Sequence, residues 1–230
     1  DNLEVGVSTP TREMNPVPIC DNTGTALLFA QAAGVRCNRW NGISGTGVAE
    51  ILAHGLGQSD VTPDVAEIMG EFFESPINVC DNCGTEIEAW YRAAESGDHT
   101  FRISADDNAH LWFSDTVNGA MAQDPIANVP GWSGNRQWNK YDSQTAAPVT
   151  LQGGQKYYMR AVANEGGGGD NLSVAWTTGD PVVNDALPIS GDHLSPWITP
   201  PAPVDNGDGT ISFDTHLAWE WWDGIGGTAV

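Results

Sequence analysis

The feature that most constrains the fold of this chain is a series of short β-type runs separated by clusters of turn residues. The runs lie at residues 101–103, 111–113, 148–151, 156–162 and 172–176. Gly, Asp, Asn and Ser separate them, and these residue types favour turns for steric and hydrogen-bonding reasons. Many short strands joined by turns predict an all-β sandwich or barrel. Loosely helical spacing at residues 48–69 predicts a short helical insertion.

Composition and charge narrow the possible partners. The 230 residues include 10 Trp and 27 Gly and are 40% hydrophobic, which predicts a globular domain with a sizeable core. The formal net charge of −21 repels nucleic-acid phosphates and anionic lipids. No apolar run approaches the roughly 20 residues that a membrane-spanning helix needs. We therefore expect an exported, extracellular or cell-surface segment with no nucleic-acid partner and no membrane insertion.

The four cysteines also fit an oxidising compartment. The most local pairing joins Cys20 to Cys37 and Cys80 to Cys83, but three connectivities are open. The Cys-x-x-Cys spacing at residues 80–83 also occurs in zinc and thiol redox sites, although no second such pair is present. We expect structural disulfides.

Two acidic stretches are candidates for a metal site. In a regular strand the adjacent carboxylates of Asp106 and Asp107 would point to opposite faces, so they can share one ion only in a loop or across a cis peptide bond. The simpler interpretation is an exposed acidic turn.

The second stretch is a run of four glycines at residues 166–169, bracketed by Glu165 and Asp170. Such a run is either a flexible surface loop or a backbone that aims carbonyl oxygens inward. Calcium takes six to eight oxygens, mixing carboxylates with carbonyls. The two stretches together would supply about five or six of these oxygens, which leaves positions open to water or to vicinal sugar hydroxyls.

A short internal repeat suggests how the chain is organised. Residues 40–48 and 222–230 are identical at six of nine positions, which predicts that a module repeats and that a second copy begins near the end of this sequence. We expect a lead-in at residues 1–37 that packs on the domain, a β domain at 38–200, and a linker with the start of a following repeat at 201–230.

The motifs in combination resemble the PA-fourteen domain family, named for a fragment of anthrax protective antigen. They lie at residues 73–76, 81–82, 84–85, 96–101, 104–108, 111–112, 130–132, 140–141, 144, 157–158 and 165–171. The resemblance covers roughly residues 38–195 and implies a β-sandwich or barrel of jelly-roll character. One departure is Cys83, where the family often has Tyr.

The resemblance also implies a site. Lectin members hold calcium with a cis Asp-Asp dipeptide and a second loop, and the ion chelates sugar hydroxyls. Asp106 and Asp107 match the dipeptide; Glu165, Gly167 and Gly169 match the second loop through one side chain and two carbonyls. Asp170 is placed with the metal ligands, and Asp106, Asp107, Asp170 and Asn171 are the expected sugar-binding residues.

These observations predict a calcium-dependent carbohydrate-binding module of a large adhesin, acting in adhesion or biofilm formation beside neighbouring domains of the same chain. The alternatives are a structural spacer module and a non-catalytic accessory domain of a glycoside hydrolase. We expect no enzymatic activity and assign no catalytic residue, because two carboxylates bound to one cation stay ionised and cannot act as a general acid. Trp112, Trp132 and Trp138 either stack on sugar or pack in the core.

Overall fold

The computed structural model describes residues 34–54, 62–115 and 124–196, together with two-residue strands at 19–20, 26–27, 204–205 and 211–212. The chain divides into a central unit, residues 30–197, and a terminal unit, residues 1–29 and 198–230. The terminal unit contains two antiparallel pairs: β1 (Ile19–Cys20) with β2 (Ala26–Leu27), and β13 (Val204–Asp205) with β14 (Ile211–Ser212).

The predicted lead-in at 1–37 and the predicted linker at 201–230 lie mostly outside the described residues, and the second copy of the repeat at 222–230 lies wholly outside them. Those domain boundaries stay predictions.

The central unit is built from two antiparallel sheets. The larger has the order β4-β3-β5-β10-β7-β8, and β12 pairs with β5 beyond the end of β3. Its strands are β3 (Val35–Asn41), β4 (Val65–Met69), β5 (Cys83–Arg92), β7 (Ala109–Ser114), β8 (Ala127–Val129), β10 (Lys156–Glu165) and β12 (Leu194–Pro196). The smaller has the order β11-β6-β9, with β6 (Gly97–Asp106), β9 (Val149–Leu151) and β11 (Asn171–Thr177). The prediction of an all-β sandwich is confirmed, and the sheets do not close into a barrel.

Alternation along the strands builds the core. On β5, Ile87 and Tyr91 are fully buried and pack with Phe101 and Ile103 of β6 and Leu172 of β11. Each such side chain contributes about 1.5–3 kcal/mol by leaving water, so this cluster is the main source of stability. All five predicted β runs lie within strands β6, β7, β9, β10 and β11, apart from Pro148, which directly precedes β9.

A second buried cluster lies on the other face of the larger sheet. The short helix α1 (Val48–Ala53) packs Val48 and Ile51 against Trp40 and Val162. A Cβ atom at Gly84 would lie 2.0 Å from Ile51 Cδ1, so only glycine on β5 allows the helix to approach this closely. Short 3-10 helices at Asp142–Gln144 and Gly191–His193 complete the predicted helical insertions.

The predicted helical stretch at 48–69 is wrong over its second half. The helix ends at Ala53, and Val65–Met69 forms the edge strand β4, whose backbone pairs with β3 from Val35 to Arg39. The hydrogen bonds of an existing sheet edge outweigh a loosely helical spacing. In the part of the chain that the structure describes, no helix has the length and apolar character needed to cross a membrane.

The cysteine prediction is correct for one pair only. Cys80 and Cys83 form a disulfide, whereas Cys37 is a free thiol buried in the core, which corrects the predicted Cys20–Cys37 bond. Burial raises the pKa of the Cys37 thiol to about 12, and the nearby charge of Glu67 adds to the shift, so this thiol stays protonated and unreactive. The side chain of Cys20 lies outside the described residues.

Candidate functional site

The two acidic stretches meet because both connect the smaller sheet to the larger sheet at the same end of the sandwich. β6 ends at Asp106 and is followed by β7, and β10 ends at Glu165 and is followed by β11. β7 pairs with β10, and β6 pairs with β11 so that Asp106 is opposite Asn171. The topology therefore places the acidic dipeptide beside the tetraglycine loop, which we define as residues 166–169.

Three carboxylates converge there. The Asp106–Asp107 peptide bond is cis, which turns two consecutive side chains toward one side of the backbone. One oxygen from each of Asp106, Asp107 and Glu165 lies within 4.8 Å of the others. Oxygens at this spacing repel one another unless a cation or protons lie among them.

Glu165 is the most informative member of this group. Its side chain is 3% exposed, yet neither carboxylate oxygen has a hydrogen-bond partner. Burial, followed by the charges of Asp107, Asp106 and Asp170, raises its pKa from 4.5 to about 7, and the nearby backbone N–H of Gly167 offsets part of this shift. A buried carboxylate without a donor costs several kcal/mol if it is ionised and unpaired (on the order of 1–3 for a lost hydrogen bond, more for a charge), so its surroundings suit a bound cation.

The other two carboxylates are partly exposed and differ in their contacts. Burial raises the pKa of Asp106, as do the charges of Asp107 and Asp170, while Lys140 acts in the opposite direction. Asp107 accepts a hydrogen bond through Oδ2 from the backbone N–H of Gly166 at 3.1 Å. That bond fixes the dipeptide to the first residue of the tetraglycine loop.

Asp170 lies close enough to raise the pKa of both Asp106 and Glu165. Its Oδ2 accepts hydrogen bonds from the N–H groups of Val79 at 2.9 Å and Cys80 at 2.8 Å, whereas its Oδ1 is buried without a partner. Asp170 therefore has one oxygen fixed by the protein and one available for a ligand.

The glycines let the loop backbone run close to these carboxylates. A Cβ atom at Gly169 would lie 3.6 Å from Asp106 Oδ2 and 3.2 Å from Asn78 Oδ1, and Gly168 has a φ of +125°. Gly167 lies in the same loop, where a Cβ atom would be 3.9 Å from Asp81 Oδ1. A side chain at residue 169 would press on the Asn78 amide, and one at residue 168 would strain the backbone.

Asn171 begins β11 at the edge of the site. Its Nδ2 donates to the carbonyl oxygen of Ser133 at 3.0 Å, and its Oδ1 is buried without a partner. Ser133 in turn exchanges hydrogen bonds with Ala105, the residue before the dipeptide. Asn171 therefore links the acidic group to the segment that carries Trp132.

Of the three tryptophans considered for sugar stacking, only Trp132 is exposed. It is 54% accessible, and Lys140 Nζ lies 2.9 Å from the centroid of its ring. Trp112 and Trp138 are 7% and 0% exposed and pack in the interior. Of these three residues, only Trp132 thus offers a ring to a ligand.

For residues 78–83 the sequence predicts the Cys80–Cys83 disulfide but not the contacts that this segment makes with the site. This segment, called here the disulfide loop, contains Cys80 and Cys83 and borders an open depression of about 420 Å³ lined by Asn78, Val79, Cys80, Asp81 and Gly168. Both sulfurs are in the disulfide, so no thiolate is available for zinc in this oxidation state. The Asp81-Asn82 motif and the Cys-x-x-Cys spacing marked the segment, but its backbone N–H groups make the contacts.

Comparison with known proteins gives a family match and similar folds. Residues 84–178 match the GLEYA domain family. The A domain of Epithelial Adhesin 6 from Candida glabrata, solved in complex with Galb1-3GlcNAc, has 13% sequence identity and a TM-score of 0.50, covering 80% of this chain and 94% of that one. The PA14 domain of the antifreeze protein MpAFP has 14% identity and a TM-score of 0.53, covering 76% of this chain and 97% of that one.

At these identities the two structures establish a shared fold, and the family match covers the strands from β5 to β11 that carry the acidic dipeptide and the tetraglycine loop. Residues 84–178 of this chain are therefore similar to GLEYA domains, and the central unit has the PA14-type sandwich fold that the sequence motifs predict.

Proposed function

We propose that this domain is a calcium-dependent lectin module of a secreted or cell-surface adhesin, which binds glycans through sugar hydroxyls at the end of the sandwich. The observation that supports this best is the buried Glu165 carboxylate, unpaired beside the cis Asp106–Asp107 pair. The GLEYA match and the fold shared with a glycan-bound adhesin domain agree with this function.

The donor set suits calcium rather than a softer metal. Its side-chain ligands are all carboxylates, namely Asp106, Asp107, Glu165 and the free oxygen of Asp170, and the carbonyls of Gly167 and Gly169 are proposed to complete the set. Hard oxygen donors of this kind are the ligands that calcium prefers. When bound, calcium supplies a centre whose open coordination positions take vicinal hydroxyls of a sugar.

The protein's own residues give the site an open side. Asp106 and Asp107 are partly exposed while Glu165 is buried. The dipeptide therefore lies on the solvent side of the site, and Glu165 lies on its interior side. Asp106, Asp107, Asp170 and Asn171 are proposed to contact the sugar. Trp132 offers an apolar ring at the rim, where it would pack against the C–H face of a sugar ring.

This arrangement differs from that of the two alternatives. A structural spacer needs no unpaired carboxylate oxygens beside a partly exposed acidic pair. An accessory domain of a glycoside hydrolase would bind glycan in the same way, so the parent protein distinguishes it from an adhesin. We propose no catalysis, because the carboxylates converge on one point instead of facing each other across a cleft.

The test is a glycan array with excess calcium and with a chelator, followed by calorimetry on the best glycan. We expect glycan binding in calcium only. Asp107→Asn should weaken both calcium and glycan binding by at least tenfold, about 1.4 kcal/mol, whereas Trp132→Ala should weaken glycan binding alone. Asp180→Asn changes an exposed acid outside the site and serves as the control.

Calcium binding without any glycan would favour the spacer, and unchanged affinity in Asp107→Asn would exclude the proposed site. Release of reducing ends from the array would contradict a purely binding role.

A further inference from the structure

The disulfide loop is bonded to the tetraglycine loop and its flanking Asp170 over its whole length. Five backbone N–H groups make these bonds, four from the disulfide loop and one from Gly168, which donates to Asp81 Oδ1 at 3.1 Å. In the disulfide loop, the N–H of Asn78 donates to the Asp170 carbonyl oxygen, and the N–H groups of Val79 and Cys80 donate to Asp170 Oδ2. The N–H of Asn82 donates to the Gly166 carbonyl oxygen. No element other than the disulfide loop donates to Asp170 in the described residues.

Asp170 depends on these bonds for its orientation. Two N–H groups on one carboxylate oxygen fix the plane of the carboxylate, and Oδ1 is left buried and unpaired. Asp170 lies between Gly169, where a Cβ atom would be 3.6 Å from Asp106 Oδ2, and Asn171, which is opposite Asp106 in the sheet. If the N–H groups of Val79 and Cys80 moved away, both oxygens would need new partners in a buried position. Asp170 would then turn away from the site or bind the cation less favourably.

The Cys80–Cys83 disulfide restricts the segment that carries these donors. Its two cysteines are three residues apart. Two asparagines of the loop, Asn78 and Asn82, have φ values of +53° and +51°, a backbone conformation that asparagine adopts less readily than glycine does. Without the covalent bond the loop gains conformational freedom, and holding the N–H groups in place costs entropy at the moment of binding.

We propose that the Cys80–Cys83 disulfide is a redox-dependent positioning device for Asp170, and that its oxidation state and the occupancy of the cation site are coupled. This inference rests on the proposed function. Reduction by a dithiol breaks the S–S bond and forms two Cys thiols, and the dithiol is oxidised to its own disulfide. Because coupling is reciprocal, the factor by which reduction weakens calcium binding equals the factor by which calcium disfavours reduction.

The test compares calcium affinity by calorimetry in zinc-free buffer for the oxidised protein, the reduced protein and Cys80→Ser/Cys83→Ser. We expect the calcium affinity of the reduced protein and of the double variant to be at least about fivefold lower than that of the oxidised protein, which is within the usual range of coupling between sites. The dithiol concentration needed for half reduction should rise by the same factor in saturating calcium. Cys37→Ala is the control, because it removes a thiol outside the loop. It should leave the ratio of calcium affinities between the oxidised and reduced proteins unchanged.

Amide hydrogen exchange gives a readout independent of ligand binding. In calcium-free protein, reduction should increase exchange at Val79 and Cys80 while β5 and β10 stay protected. Should the double variant fail to fold, the comparison is made between the oxidised and the reduced wild-type protein, after circular dichroism has shown that the reduced protein keeps its fold.

The outcomes separate the two proposals. No calcium binding by the oxidised protein would refute the lectin function. Equal calcium affinity in both redox states, or unchanged protection of the two amides, would refute the positioning role and leave the function intact.

Discussion

At the residue scale, unpaired buried acceptors mark the site. Four neighbouring residues have side-chain oxygens that are buried without a partner: Asn164 (Oδ1), Glu165 (both oxygens), Asp170 (Oδ1) and Asn171 (Oδ1). The first two residues end β10, and the last two lie directly before β11 and at its start. Among the described residues, these two acids are the only carboxylates in this condition. Native proteins pair nearly all such atoms, so the cluster indicates a ligand.

Glu165→Gln should shift binding and stability in opposite directions. The amide has the same size but removes a buried charge that Asp107, Asp106 and Asp170 repel. Calcium affinity should fall at least tenfold, about 1.4 kcal/mol, while the melting temperature in chelator at pH 8 should rise by a few degrees, about 2–4 °C for each kcal/mol.

Calorimetry and thermal unfolding measure the two effects, with Asp180→Asn as the control variant. A lower melting temperature in chelator would mean that the Glu165 carboxylate is paired in the calcium-free protein, contrary to the structure.

At the scale of elements, local patterns predicted the strands, but long-range pairing could not be read from the sequence. The runs that became β6, β7, β10 and β11 were found because their β-type residues sit between turn residues. The strand Val65–Met69 was missed because only its pairing with β3 defines it. The dipeptide and the tetraglycine loop were brought together by charge, calcium chemistry and family resemblance.

The contacts to Asp170 could not have been predicted in the same way. They come from the backbone N–H groups of Val79 and Cys80, and every residue except proline has such a group. Residue identity therefore carries no signal for them. The free thiol of Cys37 was missed for a related reason, since local spacing does not show where its strand is buried.

The pairing of β5 with β10 creates a pH-dependent element. Glu88 is 6% exposed and accepts a hydrogen bond from Tyr158, while neighbouring Glu86 pairs with Arg160. Burial, followed by the charge of Glu86, raises the pKa of Glu88 from 4.5 to about 8. Arg36, 3.9 Å away, offsets only part of this shift.

The sign of the effect follows from proton binding. Between pH 4.5 and about 8 the folded state keeps a proton on Glu88 that the unfolded state releases, so the stability from this group is complete below pH 4.5 and is lost as pH rises through 8. Glu88→Gln keeps an acceptor for Tyr158 and cannot ionise. Its melting temperature relative to wild type should therefore rise between pH 5 and pH 8.5. A difference that does not change with pH would show that Glu88 is ionised throughout.

At the scale of the whole molecule, acidic residues far outnumber basic ones. The sequence has 30 acidic residues against 9 basic ones, and Arg136 and Arg160 form ion pairs with Glu74 and Glu86. The convergent carboxylates of the site therefore receive little compensation from the protein itself, apart from nearby Lys140. A cation from solution would supply the missing charge and raise the stability of the folded state.

Calcium should consequently raise the melting temperature of the whole domain by mass action. At a free calcium concentration of 100 times the dissociation constant, the gain is about 2.7 kcal/mol, or roughly 5–10 °C for a domain of this size.

Sodium chloride at matched ionic strength tests screening of the net charge, and magnesium tests coordination, since it demands a tighter octahedral shell. Both should give a smaller shift. At the same calcium concentration, Asp107→Asn should lower the calcium-specific gain to about 1.4 kcal/mol or less, because it removes one of the three convergent carboxylates and weakens binding at least tenfold, and Asp180→Asn should retain the full gain. If sodium chloride gave the full shift, or Asp107→Asn kept the calcium response, stabilisation would come from general screening and not from a site between the dipeptide and the tetraglycine loop.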